Sequence, residues 1–323
     1  MKAVFIEQPG GVEAMKYGDF PTPQPGPDEV LVKVAYSGVN FIDTYHRSGL
    51  YKLPLPAVIG SEGSGRVEKL GEGVKGFSPG DRVAYTLARG SYAEYHAVPA
   101  KQLVKIPDNV EDATAAASML QGCTAHYLTH STFPLKTGQT ALVHAAAGGT
   151  GRLIVQMSAM IGARALATVG SDAKAKLTLG DGASDAILYN TQDFVVETKR
   201  LTDGKGVEVI YDGVGQATLH KGFDCLKPRG MMVAFGQSSG PAAPIDVLML
   251  SQKGSLYVTR PTLFTYIASR EDLEWRSSDL FRWIGEGKLK INIDKIYPLA
   301  DAAQAHRDLE GRKTTGKLLL KMS

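Results

Sequence analysis

Along roughly the first 120 residues, apolar positions fall in short runs broken by glycine and proline. Residues 30–36, 65–70, 82–84, 92–98 and 103–105 predict β-strands bounded by turn-forming residues. The clusters between them, 21–27 and 71–76, are rich in Pro or Gly, whose fixed or permissive φ favours tight turns. This part of the chain is expected to be mainly β and loop. From residue 123 strand and helix patterns alternate. Strands are predicted at 141–144, 164–169, 186–189, 207–211, 231–235 and 255–259, and helices at 151–161, 172–179, 193–201 and 216–225. Six strands alternating with helices predict an α/β protein with a doubly wound parallel sheet. A tail from Pro261 adds a helix around 280–284, a strand at 291–296, a helix at 300–309 and a closing strand at 317–320. The tail is expected to pack back on the N-terminal β region, which makes the parallel-sheet domain an insertion.

Composition narrows the classes. At 323 residues the chain has room for about two domains. Lys and Arg total 36 against 33 Asp and Glu, a net charge of +3, and no basic stripe interleaved with aromatics points to nucleic acid. Two cysteines, Cys123 and Cys225, are too few for a disulfide scaffold or a four-thiolate zinc lobe and suit a reducing, cytoplasmic setting. The N-terminal apolar run stops at Glu7, too short for a signal-peptide core, and no long uncharged apolar window predicts a membrane span.

The most informative local feature follows the strand at 141–144. Ala145-Ala146-Ala147-Gly148-Gly149-Thr150-Gly151 opens a helix, and Ala146, Gly148 and Gly151 read as a dinucleotide fingerprint with alanine in place of its first glycine. A diphosphate approaches closely only where side chains are absent, and the helix's first N–H groups are free donors at the positive end of its dipole. Arg152 either adds charge there or points to solvent. At the end of the next strand, where an NAD-selective site usually carries a carboxylate, the chain reads Val169-Gly170-Ser171-Asp172-Ala173-Lys174. Ser171 and Lys174 suit a ribose 2′-phosphate, which at about 1.5–3 kcal/mol per charge-assisted contact favours NADPH roughly 10- to 150-fold. Asp172 reads as a helix N-cap facing away.

Three segments, 39–51, 145–151 and 254–261, together resemble the NADPH-dependent quinone oxidoreductases, the zeta-crystallin-like branch of the medium-chain dehydrogenase/reductase superfamily. The resemblance spans essentially the whole chain. It implies a GroES-like β-rich catalytic domain, residues 1–122 and 262–323, split around a Rossmann NADPH-binding domain, residues 123–261. It also implies NADPH in the cleft between them and a homodimer joined through the Rossmann sheet edge. By motif match, Phe41, Ile42, Asp43, Thr44 and Tyr45 lie beside the nicotinamide, with Asn40 just before them and Tyr51 beyond. Thr124 and Tyr127 contact or neighbour the cofactor, and Gly148, Gly149, Thr150 and Gly151 form the pyrophosphate turn. Gly170, Ser171, Lys174, Tyr189 and Arg312 surround the adenosine phosphate. Val214, Phe235, Gly236, Gln237, Ser238, Ser239, Gly240, Pro261, Thr262 and Leu263 complete the nicotinamide and ribose side. The chain departs from the family in Thr150, where Val is usual, and in Arg152 and Leu153, where small apolar residues often stand.

The superfamily's zinc alcohol dehydrogenases carry a catalytic Cys ahead of a Gly-His-Glu segment. The corresponding places here read Gly38-Val39-Asn40 and Gly60-Ser61-Glu62, so both soft ligands are gone and no metal is expected. Glu62 is expected to anchor its loop or an arginine, and His144 to be a packed structural residue. The histidines are scattered, and Ser48, Ser61 and Ser64 lack a nucleophile-elbow context. What remains is zinc-independent hydride transfer from NADPH to a quinone, whose product phenolate collects its proton from solvent. Asn40, Tyr45 and Tyr51 are the candidates for orienting the acceptor. The alternatives are an NADPH-dependent enone or enoyl-thioester reductase of the same branch, and a dinucleotide-binding protein with a structural or RNA-associated role.

Overall fold

The computed structural model describes residues 1–311 and 314–322. They form two compact units, Met1–Cys123 with Ile267–Ser323 and Thr124–Tyr266. The first opens with an antiparallel pair, β1 (Lys2–Ile6) and β2 (Lys16–Asp19), followed by the long β3 (Glu29–Val39). Then comes a helix that the β-and-loop expectation does not include, α1 (Phe41–Ser48). Its start is a local device: the Asp43 carboxylate accepts the Asn40 backbone N–H at 2.9 Å, and Gly49 ends the helix in the left-handed conformation at φ 81°. β4 (Ala57–Val58), β5 (Glu62–Leu70), β6 (Arg82–Thr86), β7 (Tyr95–Pro99), β8 (Leu103–Lys105) and α2 (Asp112–Tyr127) follow.

The second unit alternates strand and helix: β9 (Thr140–Val143), α3 (Gly149–Ile161), β10 (Arg164–Val169), α4 (Asp172–Gly180), β11 (Asp185–Leu188), α5 (Phe194–Leu201), β12 (Val207–Asp212), α6 (Leu219–Gly222), β13 (Leu226–Ala234), α7 (Val247–Gln252), β14 (Tyr257–Thr259) and α8 (Leu263–Tyr266). The strand order is β11-β10-β9-β12-β13-β14 with every neighbouring pair parallel, the expected doubly wound sheet. Its core gathers Leu142, Leu166, Ile187, Ile210, Phe223 and Met232. The helix expected over 216–225 is shorter, α6 running into a 3₁₀ turn at Phe223–Cys225, because residues 215–218 are held in a turn: Gly215 is left-handed at φ 87° and the Gln216 N–H donates to the Gly240 carbonyl at 3.1 Å. The connections diverge between β9 and β12, and in open α/β sheets ligands bind at such a switch point, outside the carboxyl ends of the strands.

The chain then returns to the first unit through α9 (Arg270–Gly285), β15 (Ile293–Pro298), α10 (Ala302–Glu310) and β16 (Lys317–Lys321). β16 pairs antiparallel with β3, Leu318 opposite Val39, and completes a sheet ordered β15-β16-β3-β5-β6-β8, with β7 also on β3. Val34, Val39, Tyr297, Leu318 and Leu320 share one core with Val4 and Ile6, so the tail is part of the first unit's interior.

Arg152 is neither solvated nor a free charge at the glycine turn. Its guanidinium makes a two-point ion pair with Asp181 just past α4, Nε to Oδ2 at 2.5 Å and Nη2 to Oδ1 at 2.9 Å, with both side chains largely buried. The pair ties α3 to the end of α4. Arg152→Met leaves a buried carboxylate without its cation and is expected to cost about 3 kcal/mol in urea unfolding. The double variant Arg152→Met/Asp181→Leu should regain most of that loss, and additive losses would show that the two side chains act independently.

Candidate active site

In the second unit, Thr124 and Tyr127 lie at the end of α2, and the other described residues singled out from sequence follow the carboxyl ends of the parallel strands. After β9 the chain turns through Ala145, which takes the left-handed conformation at φ 51°, and Gly148 becomes the N-cap of α3. Gly151 makes the turn possible: a Cβ there would lie 2.5 Å from the Ala145 carbonyl oxygen and 2.8 Å from the Ala146 Cα. With no side-chain cap at Gly148, the first amides of α3 are left to an external acceptor. His144, just before the turn, is packed as expected, its Nδ1 2.9 Å from Thr168 Oγ1 and its ring edge-on to Phe194; burial lowers its pKa.

Beyond β10, Ser171 and not Asp172 is the N-cap of α4, its Oγ accepting the Lys174 N–H at 3.3 Å; Asp172 is the first helical residue. Ser171 can still donate its O–H outward. A Cβ at Gly170 would lie 2.7 Å from the hydroxyl of Tyr189, the residue after β11, so these two candidates are side by side. Val214 and the 235–240 stretch, which follow β12 and β13, are stitched together. Ser238 N–H donates to the Gly213 carbonyl at 3.2 Å, and Ser239 donates through its N–H and hydroxyl to the Val214 carbonyl at 2.9 and 2.7 Å. Asp212 sets this loop from below, accepting the Val214 and Gly215 N–H groups and the Thr218 hydroxyl. Pro261, Thr262 and Leu263 follow β14, and Tyr127 stacks on Tyr266 with ring centroids 4.4 Å apart. Tyr127 is fully buried and Thr124 nearly so. Arg312 lies outside the described residues.

The first unit holds a buried polar cluster that only partly matches the sequence expectations. Lys317 on β16, Glu62 on β5 and Asn40 at the start of α1 meet with the charged side chains 1% and 0% exposed. The Lys317 ammonium donates to Asn40 Oδ1 at 2.6 Å and pairs with Glu62 Oε1; Asn40 Nδ2 donates to the same Glu62 oxygen at 2.8 Å. Glu62 Oε2 accepts the Leu120 N–H at 2.7 Å. Glu62 therefore anchors a lysine rather than an arginine. The Asn40 carboxamide is engaged at both ends, which leaves Tyr45 and Tyr51, ring centroids 5.5 Å apart, as the more open of the three acceptor-orienting candidates. Lys317 escapes a reading of residue order because a lysine at a strand start looks like an ordinary surface residue.

A second chain of hydrogen bonds braces α1 from beneath. Ser61 Oγ donates to Asp43 Oδ1 at 2.6 Å, Tyr92 donates to Asp43 Oδ2 at 3.2 Å, and the Tyr92 oxygen lies 3.1 Å from His306 Nε2. Arg47 lies 3.0 Å from His306 Nδ1 and forks onto Glu310 at 3.0 and 2.8 Å. Asp43, expected to line the nicotinamide, has its carboxylate spent on this brace and is fully buried; Thr44, also buried, donates to the Phe41 carbonyl. Phe41, Ile42 and Tyr45 stay partly exposed on the helix.

Comparison with known proteins places the chain. A family model described as alcohol dehydrogenase GroES-like domain matches residues 26–108, and one described as zinc-binding dehydrogenase matches residues 182–320. The quinone oxidoreductase of Pseudomonas aeruginosa is 45% identical over 313 residues, 96% of each chain. The chain belongs to the quinone oxidoreductase family of the medium-chain dehydrogenase/reductase superfamily. Its fold is accordingly a GroES-like β-rich unit with a Rossmann-type parallel sheet. The crystal structure of Escherichia coli quinone oxidoreductase complexed with NADPH superposes with a TM-score of 0.97 at 42% identity, covering 99% of this chain and 100% of the other. The 2-haloacrylate reductase of a Burkholderia species is 40% identical over 327 residues, 98% of each chain.

The metal named in one family description does not suit this member of the quinone oxidoreductase family. Ser61 is spent on Asp43, and Asn40 and Glu62 converge on an ammonium whose charge would repel a divalent cation. Among the described residues no three His, Cys, Asp or Glu side chains form a metal-binding group, and no helix is long and apolar enough to cross a membrane.

Burial pushes the Asp43 carboxyl from 3.8 up to about 6, against the lowering effect of the Ser61 and Asn40 hydrogen bonds and of Lys317. The folded state thus holds this proton more tightly than the unfolded chain. The associated stability is complete below pH 3.8 and is lost as pH rises to about 6. Over that window wild-type stability should fall relative to Asp43→Asn by about 3 kcal/mol, because each tenfold difference in proton affinity between folded and unfolded chain is worth about 1.4 kcal/mol. Urea titrations of both proteins from pH 4 to pH 7 measure it, and a constant difference would contradict a raised Asp43.

Proposed function

We propose that this protein is a zinc-independent NADPH:quinone oxidoreductase of the cytoplasm. The observation that carries the reading is the row of small-residue turns and helix N-termini along the carboxyl edge of a parallel sheet, in a chain 45% identical to a quinone oxidoreductase. That edge suits the cofactor in both shape and charge: Gly151 and Gly170 keep side chains out, α3 offers free N–H donors, and Ser171 with Lys174 offers a hydroxyl and an ammonium to a 2′-phosphate.

NADPH, when bound, supplies the hydride. The first amides of α3 from Gly149 on hold the diphosphate, and Ser171, Lys174 and Tyr189 hold the adenosine phosphate end. Val214, the 235–240 loop and 261–263 orient the other half, with Tyr127 and Thr124 beside it. On the first unit, α1 presents Phe41, Ile42 and Tyr45, and Tyr45 with Tyr51 orients an electron-poor acceptor through ring contact and hydroxyl donation. Asn40 and Asp43 act one step back, by fixing the helix. A quinone needs no Lewis acid, because its reduced oxygen is a stabilised phenolate that takes a proton from water. Reduction of electron-poor alkenes is the second reading, motivated by the 2-haloacrylate reductase relative.

Purified protein should oxidise NADPH with 1,4-benzoquinone or 9,10-phenanthrenequinone in the presence of chelator. Dependence on added zinc, or alkenals as the only acceptors, would reject the quinone reading. Lys174→Ala should raise the KM for NADPH about tenfold and leave that for NADH within about twofold; equal changes would remove Lys174 from the 2′-phosphate.

A homodimer through the sheet edge belongs to the same proposal. β14 is an edge strand with Tyr257 56% and Val258 37% exposed, and α7 beside it in sequence carries Val247 and Leu248 at 77% and 61%. An apolar edge strand of this kind is a template for pairing with a second copy. Sedimentation is expected at twice the 34.5 kDa chain mass, with Val258→Lys shifting the protein to monomer. A monomeric wild type would refute the dimer.

A further inference from the structure

We infer that Lys317 is a positioning residue of the hydride-transfer site, its buried ammonium holding the Asn40 carboxamide, and through it the start of α1, in a single arrangement. The inference rests on the functional reading above, since α1 matters to catalysis only if it carries the acceptor-facing side chains.

The geometry is specified by three strands. β16 pairs with β3 with Leu318 opposite Val39, so Lys317 arrives beside Asn40, the residue that follows β3 and caps α1. β5 pairs with β3 with Gly63 opposite Ser37, which brings Glu62 to the level of Gly38. Gly38 makes room for it: a Cβ there would lie 2.1 Å from Glu62 Oε1. Residues 277 and 255 positions away from Lys317 in sequence thus meet on one cation.

The chemistry allows little freedom. An ammonium donates and never accepts, so Asn40 must present Oδ1 to Lys317; its Nδ2 is then turned to Glu62 and, at 3.4 Å, to the Gly38 carbonyl. The opposite amide orientation would set N–H against ammonium. Glu62 in turn has its second oxygen fixed by the Leu120 N–H. The Asn40 backbone N–H goes to Asp43, so side chain and main chain of the same residue are held from two sides. A hydrophobic residue at 317 would pack equally well in an apolar core, but it would leave Glu62 charged and unpaired and Asn40 free to flip.

The test uses the full-length protein. Because Lys317→Met alone orphans a buried carboxylate and can unfold the chain, the decisive variant is Glu62→Gln/Lys317→Met, which removes both charges and keeps an acceptor for Leu120. Its unfolding midpoint is measured beside kcat and KM with a quinone, the Kd for NADPH, and hydrogen–deuterium exchange over residues 39–48. The expected result is kcat lowered at least tenfold with NADPH affinity within twofold, and exchange in this segment at least fivefold faster than wild type. A kcat within twofold of wild type with unchanged exchange overturns the inference. So does a parallel fall of kcat, NADPH affinity and unfolding midpoint, which marks general damage. If the wild type reduces no quinone or alkene, the functional reading fails by itself, and the exchange measurement still decides whether Lys317 holds α1.

Discussion

Glu62 and Lys317 lie in the interior of the first unit with essentially no exposure, and each is tolerable there only because of the other. Taking either charge out of water costs several kcal/mol, and an apolar pair of similar volume would often serve stability as well or better. The pair therefore makes sense as a device for specificity. It couples β5 and β16, two strands from opposite ends of the chain, to Asn40 at the β3–α1 junction. The start of the helix that carries Phe41, Ile42 and Tyr45 is set by this contact.

The rest of the first unit's polar interior continues the same logic. Asp43, Tyr92, His306 and Arg47 form a relay of short contacts from the underside of α1 to Glu310 on α10. Burial pushes His306 down to about 3, with the Arg47 charge adding to the effect, so the imidazole is neutral and one ring nitrogen remains an acceptor. A neutral histidine between a guanidinium and a phenol lets Arg47 donate at one side and receive its compensating charge from Glu310 at the other. α1 is thus held at its start by the lysine cluster and along its length by the carboxyl brace.

The second unit works by different means. Its sheet is apolar and parallel, and the loops after its strands are built from small-residue turns and backbone hydrogen bonds more than from charged groups. A strongly charged contact near the glycine turn, Arg152 with Asp181, is structural and keeps α3 against the end of α4. The turn is left free to present its amides.

Much of this is legible from residue order. The strand, glycine turn and helix at 140–161 are local features, and so are Ser171 and Lys174 after β10, because turn chemistry and hydrophobic period act over a few residues. α1 is harder to see although its signals are local too: Asn40, Asp43 and Gly49 punctuate a short helix that buries polar side chains and leaves Phe41, Ile42 and Tyr45 partly exposed, the reverse of the usual apolar-inward pattern. Arg152, Asp172 and Glu62 differ in detail from expectation for another reason: each partner or cap is one choice among several nearby, and only packing selects it. Residue type and short spacing suffice for the alternating parallel sheet and the glycine turn that opens α3. Nothing short of the folded sheet sets a lysine from the last strand between Asn40 and Glu62. Pairings across more than 250 residues depend on sheet register, and register emerges only when the whole sheet has formed.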